Sequence, residues 1–102
     1  MQKLGNYISG KWIEGDGEGQ LLYNAVTGKA INSATTKGLD FESILHYART
    51  TGNPALRKMT FQERGRMLRA LALHLLSKKD IFYKISYQSG ATKIDSWIDI
   101  EG

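Results

Sequence analysis

The stretch from Thr60 to Ser77 constrains this chain more than any other. At ~100° per residue, Phe61, Met67, Leu68, Leu71, Ala72 and Leu75 gather on one broad helical face. Leu73 lies opposite that face and Leu76 well off its centre. A helix apolar on two sides is covered on two sides, so this one calls for neighbours. The chain has 102 residues, the length of one ordinary domain. Few elements are therefore at hand to supply the cover.

Around that stretch, helix punctuation organises residues 39–102. Asp40 reads as an N-cap, with Leu39 and Ile44 spaced as a hydrophobic staple. Phe41, Ile44, Leu45 and Ala48 follow one helical face, and Gly52 and then Pro54 are expected to stop that helix. Thr60 with Glu63 is spaced as a capping box for the second helix. Ser77 with Asp80 reads as a third cap, for a helix whose inner face is Ile81, Phe82 and Ile85 and which Gly90 ends. Thr92 with Asp95 opens a fourth, with Ile94, Trp97 and Ile98 on one side. Trp97, Ile98 and Ile100 have no downstream partner in the sequence. One reading makes Gly102 a C-cap and packs Trp97 back on the other helices; the other leaves those side chains to something outside the chain.

Residues 1–38 have a different texture. Tyr7–Ser9 and Lys11–Ile13 flank Gly10 and carry the aromatic and β-branched residues of half-buried strands. Gly15–Gly19 is a turn cluster, Leu21–Tyr23 restarts a strand, Asn24–Gly28 is a second turn, and Ala30–Thr35 reads as another strand. The predicted fold is α+β: a short antiparallel β-meander arm over 1–38, then about four helices over 39–102. Such short strands are marginal without something to pack on.

Composition narrows the chemistry. There is no cysteine, which excludes a disulfide framework, a thiolate metal site and a cysteine nucleophile within these residues. No apolar run approaches the ~18 residues of a membrane-spanning helix, and the first ten residues lack the apolar core of a secretory signal. A cytoplasmic location is expected. The net charge of +4 is too mild to imply nucleic acid without a concentrated patch.

The candidate chemistry resolves into structural roles. Gly15-Asp16-Gly17-Glu18-Gly19 fails the G-x-G-x-x-G pattern because Gln20 takes the third-glycine position, no helix follows, and two acids would repel phosphate, so a hairpin loop is expected there. His46 and His74 fall on separate helices with no metal-ligand spacing. Asp40, Glu63, Asp80 and Asp95 read as cap acids, which leaves Asp99 and Glu101, where nothing further in the pattern supports a paired-carboxylate acid/base site. Arg57, Lys58, Arg64, Arg66, Arg69, Lys78 and Lys79 form the best anion-binding candidate, read mainly as solvated helix surface. Arg64 lines up with the apolar stripe, so it is expected to snorkel or pair. No catalytic, cofactor-binding or metal-binding residue is expected in the chain.

YISGKWIEG at 7–15, NAVTGKAI at 24–31 and the T-x-x-E-R pattern at Thr60–Arg64 resemble the beginning of the aldehyde dehydrogenase superfamily. Ala25 departs from it, since many members have proline after the asparagine. Residues 53–102, and SGATKIDSWIDIEG at 89–102 above all, are similar to the PaaZ-like bifunctional members that act in phenylacetate breakdown. The resemblance implies an N-terminal segment of a larger α/β enzyme. That enzyme would oxidise a CoA-linked semialdehyde with NADP or NAD, using a cysteine nucleophile and a glutamate that lie downstream in the family. It also implies that the rest of the dehydrogenase is the partner of these residues, that the enzyme is a homo-oligomer, and that neither nucleic acid nor membrane is bound. The helices would buttress a nucleotide-binding domain, and the segment itself would be catalytically silent. The alternative is a free-standing α+β module that binds a protein partner through its apolar helix faces.

Overall fold

A computed structural model describes all residues, Met1–Gly102. The strands are β1 (Gln2–Lys3), β2 (Asn6–Ile8), β3 (Lys11–Ile13), β4 (Gln20–Tyr23) and β5 (Ala30–Ala34). The helices are α1 (Phe41–Tyr47), α2 (Asn53–Lys58), α3 (Phe61–Ser77), α4 (Lys79–Gln88) and α5 (Lys93–Glu101), with a π-helical turn, Ala48–Gly52, joining α1 to α2. The class is α+β, as the pattern predicts. The chain divides into two compact units: residues 1–23 with 30–59, and residues 24–29 with 60–102.

In the first unit, the strands do not form one meander. β2 and β3 make a separate antiparallel hairpin, with Ile8 opposite Lys11 and Tyr7 opposite Trp12. Its two-residue turn, Ser9–Gly10, has positive φ at both positions (51° and 80°), the conformation that matches strand twist. The Tyr7 and Trp12 rings meet at 5.2 Å between centroids, a favourable cross-strand pair. The other sheet runs β1-β5-β4. β5 pairs antiparallel with β4 and parallel with β1, Gln2 facing Asn32. A two-residue strand carries too little periodicity to be read from sequence, which is why β1 was not expected.

Asp40 caps α1, its Oδ1 accepting from the Ser43 N–H at 3.1 Å. Gly52 and Pro54 do not stop this helix. Gly52 keeps right-handed φ and ψ (−68°, −52°), and the chain continues through the π-turn into α2. There the Asn53 N–H reaches back five residues to the Ala48 carbonyl. The wider turn relieves the clash a proline ring makes with the carbonyl four residues earlier. It also leaves Pro54 in the first turn of α2, where its missing N–H is not needed.

In the second unit, Thr60 and Thr92 cap α3 and α5 as predicted. The Thr60 Oγ1 accepts from the Glu63 N–H at 3.1 Å, and the Thr92 Oγ1 from the Asp95 N–H at 3.2 Å. The expected Ser77–Asp80 cap does not form. Ser77 lies inside the last turn of α3, and its hydroxyl donates back to the His74 carbonyl at 2.5 Å. Lys78 alone separates α3 from α4 and offers no side-chain cap. α4 packs on α5 through Ser96, the one fully buried side chain of the molecule. The Ser96 Oγ lies 2.8 Å from the Ser86 Oγ and donates to the Thr92 carbonyl at 2.8 Å.

No hydrophobic residue is buried in either unit. The two buried polar residues are Ser33 and Ser96. All seventeen residues of α3 are exposed. No helix is long and apolar enough to cross a membrane.

Candidate functional site

The glycine cluster 15–19 is built around a cation. Lys3 projects from β1, and its Nζ donates to the carbonyls of Gly15 (2.5 Å) and Gly17 (2.6 Å). The Asp16 N–H is taken by the Lys37 carbonyl at 2.8 Å. Carbonyl oxygens thus converge inside this loop, the opposite polarity to a phosphate cradle, whose N–H groups point at the anion. The segment is a turn, but not the hairpin loop expected of it: β3 pairs with β2 and β4 with β5, so residues 15–19 link strands of two separate sheets.

His46 sits in the last turn of α1 and His74 in the last turn of α3. No group of three or more His, Cys, Asp or Glu side chains is placed to hold a metal ion. Asp40, Glu63 and Asp95 occupy helix starts. Asp80 lies in the first turn of α4 without a capping bond. Glu101, which the pattern left without a role, has two partners: the Tyr83 hydroxyl donates to its Oε2 at 2.5 Å and the Lys79 Nζ lies 3.3 Å from its Oε1. The hydrogen bond to Glu101 is the main cause that pushes the Tyr83 phenol up to about 12. The same bond, with help from Lys79, holds Glu101 below the ordinary carboxylate range. The spacing Tyr83…Glu101 is eighteen residues, across two helices, and no local pattern signals it.

Of the basic residues, only Lys79 forms an ion pair. Arg64 lies on the apolar arc of α3 without an acidic partner. The second unit has an open cleft of about 600 Å³ beside α4 and α5, where Tyr83, Tyr87, Lys84 and Lys93 join the Glu101 cluster. The first unit has a groove of about 440 Å³ between the hairpin and α1, lined by Ile8, Ile13, Leu39, Ile44 and Tyr47.

What dominates the surface is apolar. Phe61 is 80% exposed, Trp12 74%, Ile94 71% and Trp97 57%. Gly102 does cap α5, its N–H donating to the carbonyls of Trp97 and Ile98, but Trp97 does not pack back on the helices. Contiguous exposed apolar surface marks an interaction face. Here it recurs on both sheets and on every helix.

No protein-family profile matches the chain. It is 43% identical over 101 residues to the 3,4-dehydroadipyl-CoA semialdehyde dehydrogenase of Aromatoleum evansii, a match that takes in 98% of this chain. The chain spans 20% of the length of that protein. The resemblance carried by YISGKWIEG, NAVTGKAI and SGATKIDSWIDIEG is thereby upheld: over nearly its whole length, this chain is similar to a CoA-semialdehyde dehydrogenase.

Proposed function

We propose that this chain is the N-terminal segment of a PaaZ-like aldehyde dehydrogenase acting on a CoA-linked semialdehyde in phenylacetate catabolism, and that the segment's own role is structural. One observation carries the structural role: the chain forms regular helices and strands, yet buries no hydrophobic side chain. Burial of apolar surface, at ~25 cal/mol per Å², is what offsets the ordering of a chain. Without it these elements need surface from elsewhere, and the match to a fifth of a longer dehydrogenase supports the rest of such an enzyme as its source.

In this reading, residues 39–102 buttress the nucleotide-binding domain, and residues 1–38 form an arm near a subunit interface of a cytoplasmic homo-oligomer. Aldehyde oxidation in the superfamily uses a cysteine nucleophile, NADP or NAD as hydride acceptor and a glutamate that activates water. All three belong to the rest of the enzyme, and no catalytic, cofactor-binding or metal-binding residue is assigned to this chain.

The test is a chimera in which this chain replaces the matching segment of the Aromatoleum evansii dehydrogenase. It is expected to assemble and to form NAD(P)H from the relative's semialdehyde substrate. The isolated chain is expected to form none, to melt without a cooperative transition and to bind a dye for exposed apolar surface. Failure of the chimera to assemble, or turnover by the isolated chain, overturns the reading. A cooperative melt of a monomeric isolated chain would favour the free-standing binding module.

A further inference from the structure

The sheet β1-β5-β4 ends on one side in β4. All four residues of this strand, Gln20–Tyr23, are exposed, and β5 is the one element packed closely against it. In an antiparallel pair, alternate residues turn their N–H and C=O groups away from the partner strand. On β4 those outward groups find no hydrogen bond elsewhere in the chain.

Folded proteins blunt a free strand edge with a charge, a proline or extreme shortness. The other edges here are blunted. β1 has two residues and carries Lys3, β2 and β3 have three each, and β3 carries Lys11. β4 is the longest of the edge strands and has neither charge nor proline. Its backbone is a template for one more strand.

The occupant that fits is the same edge of a second copy. Two β4 strands can run antiparallel about a two-fold axis normal to the sheet, which sets one residue opposite its own copy. With Leu22 on the axis, Leu21 faces the partner's Tyr23. With Leu21 on the axis, Gln20 faces the partner's Leu22. In either register no charge meets a like charge, because Glu18, the nearest, falls opposite the partner's Val26 or the partner's Asn24. Two such short edges bury far less than the ~1,000 Å² a stable interface needs, so the pairing belongs to a larger contact between subunits. We propose that β4 is an intersubunit strand, its free edge pairing antiparallel with β4 of a second subunit in the assembled dehydrogenase. The proposal rests on the dehydrogenase reading above, and its test separates the two.

Leu21→Cys and Leu22→Cys are made singly in the chimera and oxidised. Residues directly opposite on antiparallel strands lie ~4.5–5.5 Å apart at Cα, within disulfide reach. One variant is expected to give a covalent dimer well above the level of the unmutated chimera, and the other to stay at that level, because the register sets only one of the two positions on the axis. Two double variants, Leu21→Lys with Leu22→Lys and Leu21→Glu with Leu22→Glu, are each expected to lose association several-fold, and co-expression of the two is expected to restore it. Restoration on mixing would not arise if β4 paired with a strand of its own subunit. If the unmutated chimera assembles and neither Leu21→Cys nor Leu22→Cys cross-links, the proposal falls and the dehydrogenase reading stands. A loss of association that mixing does not restore then assigns β4 to a strand of its own subunit. A chimera that is active as a monomer also overturns the proposal. If the unmutated chimera does not assemble, the dehydrogenase reading falls and takes the proposal with it.

Discussion

The backbone N–H of Ala25 donates to the carbonyl of Gln88 at 2.8 Å. This bond ties the turn 24–29 to the C-terminal end of α4 within one unit. The turn is itself closed by Asn24, whose Oδ1 accepts from the N–H groups of Val26 (2.8 Å) and Thr27 (3.1 Å). A proline at position 25, common among the superfamily members this chain resembles, has no N–H to give. Alanine at this position is therefore part of how this chain holds α4.

Ala25→Pro is expected to free the end of α4. The lost bond is worth about 1 kcal/mol, and the stiffer turn returns part of it. The net loss of stability in the chimera should be about 0.5 kcal/mol. The sharper readout is hydrogen exchange: the Ser89 and Gly90 amides, bonded to Ser86 and Tyr87, should exchange several-fold faster. Unchanged exchange there would show that the Ala25–Gln88 bond does not hold the helix end.

Ser96→Ala is expected to loosen α5 from α4. It removes the bond to Ser86 and the one to the Thr92 carbonyl, and leaves the Ser86 hydroxyl without its partner. The expected cost is about 1–2 kcal/mol. Because both serines serve one contact, Ser86→Ala added to Ser96→Ala should cost less than the sum of the two. Strict additivity in a double-mutant cycle would dissolve the pair.

The Tyr83–Glu101 contact should give α4 and α5 a pH window. Glu101 has a lowered folded pKa, so its contribution is complete above ~4.3 and is lost as pH falls through the folded value. Tyr83 has a raised one, so its contribution is complete below ~10 and is lost as pH rises through about 12. In an alkaline absorbance titration, one of the five tyrosines should ionise last, and Glu101→Gln should bring it back towards the others. Five tyrosines titrating together would contradict the contact.

Gly19 and Gly17 should respond differently to alanine. Both have positive φ (77° and 76°), which costs an L-residue about 1 kcal/mol. A Cβ at Gly17 meets nothing, but at Gly19 it would lie 2.5 Å from the Ala34 carbonyl oxygen of β5. Gly17→Ala should therefore cost about 1 kcal/mol in the chimera and Gly19→Ala at least twice that, with broadening of β4 and β5 resonances. Equal effects would mean that the β4–β5 approach is not as close as described.

What the sequence by itself determined is local. Asp40, Thr60 and Thr92 announce helix starts because each cap bond spans three residues. The two strands flanking Gly10 were legible too, but Ser9, read as strand, belongs to the turn between them. The Tyr83–Glu101 cluster stayed hidden because it joins two helices with no fixed spacing. The tertiary structure alone decided that Gln2 pairs with Asn32 and that the strands divide between two sheets. It alone decided that the helix from Asp40 passes Pro54 through a π-turn, and that Ser77 bonds backward instead of capping α4. It also showed that no hydrophobic side chain of the apolar faces written into the sequence is fully buried by this chain's own elements. The reason is the same throughout: a bond between near neighbours is set by their identities, whereas pairing and burial depend on which distant surfaces are present to meet, and the closure of long loops that brings them together leaves no periodic mark on the chain.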